Sequence, residues 1–323
     1  MFNHRTTLAL IFFFLCLFLF AMTAHGQKTP RTAQDFYQRG VERYNKNDFD
    51  GAISDFSRAI EMVSTFGRDR SARRHEWDVR NGLLERSGEA NQITAIDPRA
   101  AIAYTGRGLA RQAKGDIDGA LSDYDRALSI DPRLAEAYVN RGSVRFAKKD
   151  LDGALADFNK AIKIDPKMAD AYNNRGNIRR ERGDASGALA DYDRAIELNP
   201  RHAQMYCNRG TLRRDQRDPD GALADFEKAL QLDPCLASAY LGRGTVLCDK
   251  NDLTGAIKDF DRALSIDPQL ALAYANRGLA RLRLGQDAVA ERDFDQARAL
   301  DPELVPELEK RIAMVKEWRS QKR

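Results

Sequence analysis

The chain has 323 residues, enough for two ordinary domains or one long array. Charged residues make up 31% of it, yet the formal net charge is only +4 and both signs are mixed throughout. That mixture argues against the concentrated basic face of a dedicated nucleic-acid binder. Few aromatic residues beside abundant alanine, leucine, aspartate and arginine fit an all-helical protein.

The first 26 residues stand apart. "MFNHRTT" carries one arginine and no acid, residues 8–22 are continuously apolar, and Ala24 and Gly26 are small residues two apart. A basic start, an apolar middle and a small-x-small end are the parts of a secretory signal. Residues 1–26 are therefore expected to direct export, with cleavage after Gly26. The alternative is an uncleaved anchor, although a spanning helix needs about 20 apolar residues and this run is slightly short. Beyond the signal, Cys207, Cys235 and Cys248 have no paired spacing, and His75 and His202 are the remaining histidines. Neither a disulfide framework, a metal site nor a cofactor site is signalled.

From there a ruler of 34 residues runs down the chain. Asp-Pro or Asn-Pro recurs at Asp97, Asp131, Asp165, Asn199, Asp233, Asp267 and Asp301. An Arg-Gly pair keeps the same step through Gly108, Gly142, Gly176, Gly210, Gly244 and Gly278, with Gly40 two steps upstream. Gly-Ala at 119–120 and its successors, and the aromatics Tyr124, Phe158, Tyr192, Phe226, Phe260 and Phe294, keep it too. This pattern resembles the tetratricopeptide repeat, whose small residues fall here on Gly108, Ala120 and Ala127, its aromatic on Tyr124 and its proline on Pro132. The resemblance covers residues 33–302. It implies an all-α fold, an α-solenoid of antiparallel helix pairs wound as a right-handed superhelix.

In chain order, residues 33–66 read as the first repeat. The unit 67–100 keeps the length but has Arg74, Arg86 and Ala90 where glycine, alanine and an aromatic belong. It reads as a degenerate repeat with a loosened first helix, and the array is expected to kink or move there. Six repeats follow over 101–302. In the first of them, 101–114 and 117–130 are helix-length, Gly115 suits the left-handed residue that closes a helix, and Asp116 suits the next cap. Gly108 is expected to face Ala120 and let the two helices approach closely. Tyr104, Leu121, Tyr124, Leu128 and Ile130 supply an apolar stripe that only stacked neighbours can bury. Over 303–323, Leu304, Leu308, Ile312, Val315 and Trp318 share one helical face, as a capping helix requires.

Repeats within one chain form their own comparison set. The first arginine of "NRG" (Arg39, Arg107, Arg141, Arg175, Arg209, Arg243, Arg277) never varies outside the degenerate unit, and the second fails once, at Leu247. A matching acidic column holds Asp55, Asp123, Asp157, Asp191, Asp225, Asp259 and Asp293. Folding each hairpin back brings the columns together, so a structural arginine–aspartate ladder is expected; a basic stripe for phosphate or an acidic peptide is the alternative. "RGD" at 182–184 is the inter-helix turn of its repeat, and aspartate pairs such as Asp191 and Asp193 recur too often for one acid–base couple. Cys207 lacks a credible base.

The family resemblance places recognition on variable first-helix columns that line a concave groove. Tyr37, Tyr44 and Phe146 decorate its N-terminal side, and Asn173, Asn177, Arg180, Thr211 and Arg214 its polar middle. Such a groove suits a protein or an extended peptide. The lysine and asparagine arrangement with which chaperone-binding members hold a carboxylate is missing. The expected function is an exported, non-enzymatic scaffold, periplasmic or secreted. It binds no nucleic acid and meets a membrane only through an uncleaved N-terminal segment. A membrane-anchored assembly or regulatory subunit of an envelope complex is the alternative.

Overall fold

The computed structural model describes residues 32–80 and 98–321. The signal or anchor expected over residues 1–26 lies outside them. No described helix is long and apolar enough to cross a membrane. Among the described residues the chain is helical throughout and divides into two compact units, residues 1–165 and 166–323.

The first unit holds α1 (Ala33–Asn45), α2 (Phe49–Arg80), α3 (Arg99–Lys114), α4 (Ile117–Ile130), α5 (Ala135–Ala147) and α6 (Leu151–Ile164). They pack as hairpins α1/α2, α3/α4 and α5/α6, with α2 against α3 and α4 against α5. The second unit repeats the scheme with α7 (Ala169–Glu181), α8 (Ala185–Leu198), α9 (Ala203–Asp215), α10 (Pro219–Leu232), α11 (Ala237–Asp249), α12 (Leu253–Ile266), α13 (Ala271–Arg283) and α14 (Asp287–Leu300). After a short 3-10 turn at Pro302–Leu304, α15 (Val305–Gln321) packs on α13. Leu308 and Ile312 are buried there, whereas Trp318 stays 40% exposed with the Arg283 guanidinium 5.9 Å from its ring centre. The capping helix thus buries only the first half of its apolar face.

Local chemistry sets each boundary. The Asp116 carboxylate accepts the Gly119 N–H at the start of α4, and Asp150, Asp184, Asp218 and Asp252 cap their helices in the same way. A Cβ on Gly119 would run into the capping carboxylate, which accounts for the glycine of the recurrent Gly-Ala pair. The residue two before each cap-bearing helix is left-handed: Gly115 has φ 90° and Gly183 φ 79°, but Lys149 and Arg217 adopt φ 64° and 63° without being glycine. At the other end, the Asp131 carboxylate accepts the Arg133 N–H across Pro132, and Asp233 and Asp267 do the same for Cys235 and Gln269. Proline and aspartate together turn the chain towards the next repeat.

The core is one aromatic ring per hairpin. Tyr124, Phe158, Tyr192, Phe226, Phe260 and Phe294 are fully buried, each contributing about 2–3 kcal/mol of burial. The first-helix glycine lies against that ring rather than primarily against the alanine. A Cβ on Gly142 would stand 2.9 Å from Phe158 Cε1, and one on Gly108 2.6 Å from Tyr124 Cε1. At Gly210, Gly244 and Gly278 the carbonyl of the second-helix alanine is close as well, at 3.2–3.3 Å. Glycine therefore makes room for a ring, and the ring sets the inter-helix spacing.

One expectation meets a different structure. The unit 67–100 does not begin with a fresh hairpin: α2 runs unbroken from Phe49 to Arg80, through the place where every later second helix stops. The physical reason is the missing terminator, since Val63 and Ser64 stand where the other repeats carry aspartate and proline. Residues 81–97 lie outside the described chain.

Candidate functional site

The arginine and aspartate columns meet at the seam of every hairpin. Arg141 donates from Nε to Asp157 Oδ2 at 3.0 Å and from Nη2 to Oδ1 at 2.6 Å, a fork on a carboxylate only 3% exposed. Arg145 adds a third bond, Nη1 to Oδ2, at 2.8 Å. The same set surrounds Asp123 through Arg107 and Arg111, Asp191 through Arg175 and Arg179, and Asp225 through Arg209 and Arg213. Fork geometry of this kind is what guanidinium offers and ammonium does not.

Two further contacts fix the arginine that the sequence pattern alone does not reveal. Its remaining Nη1 reaches back to the preceding repeat: Arg141 to Asp125 at 2.6 Å, Arg209 to Asp193 at 2.7 Å and Arg277 to Asp261 at 2.6 Å. Its guanidinium also lies over the aromatic ring three residues earlier, Arg107 over Tyr104 at 5.2 Å and Arg175 over Tyr172 at 5.4 Å. Burial alone would lower the Arg209 pKa, but hydrogen bonds to Asp225 and Asp193 hold it above the ordinary arginine value. In Arg141, Arg209 and Arg277 all three guanidinium nitrogens bond within the stack, so these arginines join helices and repeats.

The first helices lie side by side within each unit and present the variable columns. In the first unit Tyr37 is half-buried with its ring centre 5.5 Å from that of Phe56. Burial, with the nearby Glu136 charge, pushes its phenol up to about 12. Tyr44 is not a groove residue. It is 7% exposed, edge-on to Phe49, and belongs to the core with Ala52, Phe56 and Leu109. Phe146 is half-buried, with the Lys149 ammonium 5.9 Å from its ring centre.

In the second unit the polar residues gather on α7 and α9. Asn173 is 8% exposed, and its Oδ1 accepts from Asn208 Nδ2 at 2.9 Å. Asn208 in turn accepts from Gln204 Nε2 at 2.9 Å. Asn177 accepts the Tyr192 hydroxyl at 2.7 Å, and Thr211 donates to its own helix at Cys207 O. Arg214 Nη2 is paired with Asp215 at 2.8 Å. Arg180 is half-buried near the Tyr192 hydroxyl and the Cys207 thiol, and its charge opposes the upward pull of burial on both. Burial prevails and holds the Cys207 thiol at about 11, a poor nucleophile. The amide chain through Asn208 and Gln204 was legible only in the asparagine of "NRG" itself, which recurs at Asn140, Asn174, Asn208 and Asn276.

The tetratricopeptide-repeat profile matches residues 169–202 and 203–234, and a related TPR-repeat profile matches 108–147, 142–179 and 244–285. Together they span more than half of the chain. A segment of 98 residues is 30% identical to heat shock protein STI1 of Saccharomyces cerevisiae, covering 30% of this chain and 17% of that protein. The chain thus matches less than a fifth of that relative's length. Among solved structures, a tetratricopeptide repeat protein from Parabacteroides merdae is 19% identical with a TM-score of 0.59, covering 87% of this chain and 98% of its own. The Cut9–Hcn1 assembly of the APC/C is 14% identical with a TM-score of 0.62, covering 86% of this chain and 55% of that one. Pseudomonas aeruginosa pilF is 24% identical with a TM-score of 0.56, covering 63% and 93%. These three share the fold. With the hairpin stack, the 34-residue ruler and the matching profiles in agreement, the chain belongs to the tetratricopeptide-repeat family.

Proposed function

We propose that the protein is an exported scaffold that binds a protein or an extended peptide on its first-helix faces and carries out no catalysis. The observation that carries this reading is the contrast between columns. The seam arginines bond within the stack, whereas Asn177, Arg180, Thr211 and Arg214 bring varied polar chemistry to neighbouring first helices; Asn173, expected beside them, is buried and supports Asn208 instead. Carboxamides and guanidinium on one face supply the donors and acceptors that an extended main chain needs. Export rests on the basic, apolar and small-residue succession of residues 1–26. A membrane-anchored assembly or regulatory subunit is favoured instead if that segment is retained.

Purified mature protein is used to capture partners from envelope extract, and the captured protein is then titrated against wild type and an Arg180→Ser, Arg214→Ser double variant. Binding is expected to weaken at least tenfold with an unchanged melting curve. Equal binding by both proteins removes this face from the proposal. N-terminal sequencing decides the compartment: a chain starting at Gln27 supports export with cleavage, and an intact Met1 on membranes supports the anchor.

A further inference from the structure

A depression of about 480 Å³ opens on the seam of the hairpin α3/α4. Tyr104, Arg107 and Arg111 line it from α3, and Ser122, Arg126 and Ser129 from α4. Two carboxylates also reach its wall, and each is already engaged. Asp123 accepts three N–H bonds from Arg107 and Arg111, and Asp125 accepts one from Arg141 Nη1 at 2.6 Å. The rest of the lining is basic, hydroxylic or aromatic.

Two exchanges within the repeat pattern leave positive charge here. The first is Ser57, in the column of Asp125, Asp193 and Asp261, which bond Nη1 of the next hairpin's arginine. Arg107 Nη1 meets a neutral hydroxyl there instead, at 3.0 Å. The second is Ser129. Arg58 and Arg194 pair with Glu61 and Glu197 three residues on, at 2.8 and 2.9 Å. Arg126 shares their column, but the Ser129 hydroxyl only donates to its carbonyl. Among the described residues the exposed Arg126 guanidinium has no carboxylate partner. Each exchange occurs once more by itself. Asn159 precedes Arg175, but that hairpin keeps the pair of Arg194 with Glu197. Ser265 follows Arg262, but there Glu227 faces Arg243 and Leu247 replaces the second seam arginine. Only α3/α4 combines them.

We propose that this depression binds a tetrahedral oxyanion: phosphate, free or as the end of a small monoester. Arg126 supplies charge that no acid of the stack neutralises, and Arg107 keeps its fork on Asp123 while the second N–H of Nη1 turns to the ligand. The Ser122 hydroxyl adds a donor from the other helix. Donors that converge from two helices suit an anion with acceptor oxygens on several sides, whereas a planar carboxylate is met by a single fork. The volume exceeds that of one phosphate and leaves room beside Tyr104 for an organic group.

Equilibrium dialysis of the full chain with radiolabelled inorganic phosphate, at fixed ionic strength, tests the site. Wild type is expected to bind saturably, one phosphate per chain. Arg126→Gln removes an exposed charge outside the ladder and is expected to weaken binding about tenfold, as loss of a charged hydrogen bond does. Ser129→Glu restores the pairing seen at Arg194 and Glu197 and is expected to weaken it as much, with an unchanged melting curve. Arg262→Gln, the matching change in α11/α12, is expected to bind like wild type. Competition separates the two sources: displacement by glycerol phosphate assigns a monoester, and displacement by phosphate and sulfate alone assigns the free ion. Absence of saturable binding, undiminished binding by Arg126→Gln, an equal loss in Arg262→Gln, or equal displacement by chloride overturns the proposal.

Discussion

At the hairpin seams and on the first-helix face of the second unit, the same polar residue types serve opposite ends. At the seam, Asp225 is almost wholly buried and receives three N–H bonds from Arg209 and Arg213. On the face, Asn173, Asn208 and Gln204 satisfy one another in a chain, and Arg214 takes the carboxylate next to it. The difference lies in what removal leaves behind. Deleting a seam arginine strands a buried carboxylate, while deleting Arg214 leaves Asp215, a carboxylate that water reaches. Invariance across repeats therefore tracks desolvation, whereas the varying columns hold exposed pairs such as Arg214 with Asp215 beside buried residues such as Tyr44.

The largest break in that contrast is expected from Arg209→Ser. It removes the fork on Asp225 and the link to Asp193 together, and breaking a buried pair from one side typically costs about 3–5 kcal/mol. Arg213 still holds one oxygen of Asp225, which places the effect at the lower end. Chemical denaturation reads it directly. A change below about 1 kcal/mol would mean that water replaces the fork and that the seam is not desolvated in solution.

Gly142→Leu comes next. A Cβ alone would stand 2.9 Å from the Phe158 ring and 3.2 Å from Asp157 Cβ, so the whole side chain must displace both the core ring and the ladder carboxylate. Overpacking of this kind costs about 1–3 kcal/mol. An unchanged midpoint would move Gly142 out of the contact and undo the repeat register.

Much of this was open to reading in the chain, because a repeat prints its own alignment. The ladder followed from two columns of equal length, and the caps from aspartates at a fixed offset. Three features were hidden for physical reasons. Tyr44 shares a column with Arg180 and Arg214, yet in the first repeat the aromatic Phe49 and Phe56 draw it into the core. The back-reaching bond from Arg141 to Asp125 joins different repeats, and spacing within one repeat cannot show it. The unit 67–100 kept its length, so the ruler counted it, although without a terminator at Val63 and Ser64 the helix α2 runs on to Arg80.

Lys149→Gly sharpens the comparison from the turn side. Lys149 holds φ 64° where Gly115 and Gly183 hold the same region without a Cβ. A left-handed residue other than glycine carries about 1–2 kcal/mol of strain, partly offset by the extra freedom glycine gives the unfolded chain. The expected gain is about 0.5–1 kcal/mol, seen as a higher denaturation midpoint. A loss would assign Lys149 a stabilising contact, for which its ammonium over Phe146 is the candidate.

The smallest effect is expected where the ladder itself is incomplete. Leu247 occupies the column that elsewhere supplies the second arginine, so Asp259 receives bonds from Arg243 alone. Its side chain is 9% exposed against 5% for Asp293, which has both partners. Leu247→Arg should place a guanidinium where Arg281 stands in the next repeat and add one charged hydrogen bond to Asp259. Such a bond is worth about 1.5–3 kcal/mol when formed, but the leucine gives up its own half-buried apolar contact, worth about 1–2 kcal/mol. The two nearly offset, leaving a net gain centred at about 1 kcal/mol or less, and salt should erode it only weakly because the carboxylate is shielded. The measurement is a pair of denaturation curves at low and high salt, run beside Arg281→Leu, which makes the reverse exchange. If Leu247→Arg destabilises while Arg281→Leu costs nothing, the second arginine column is surface decoration and one fork per hairpin is all the seam requires.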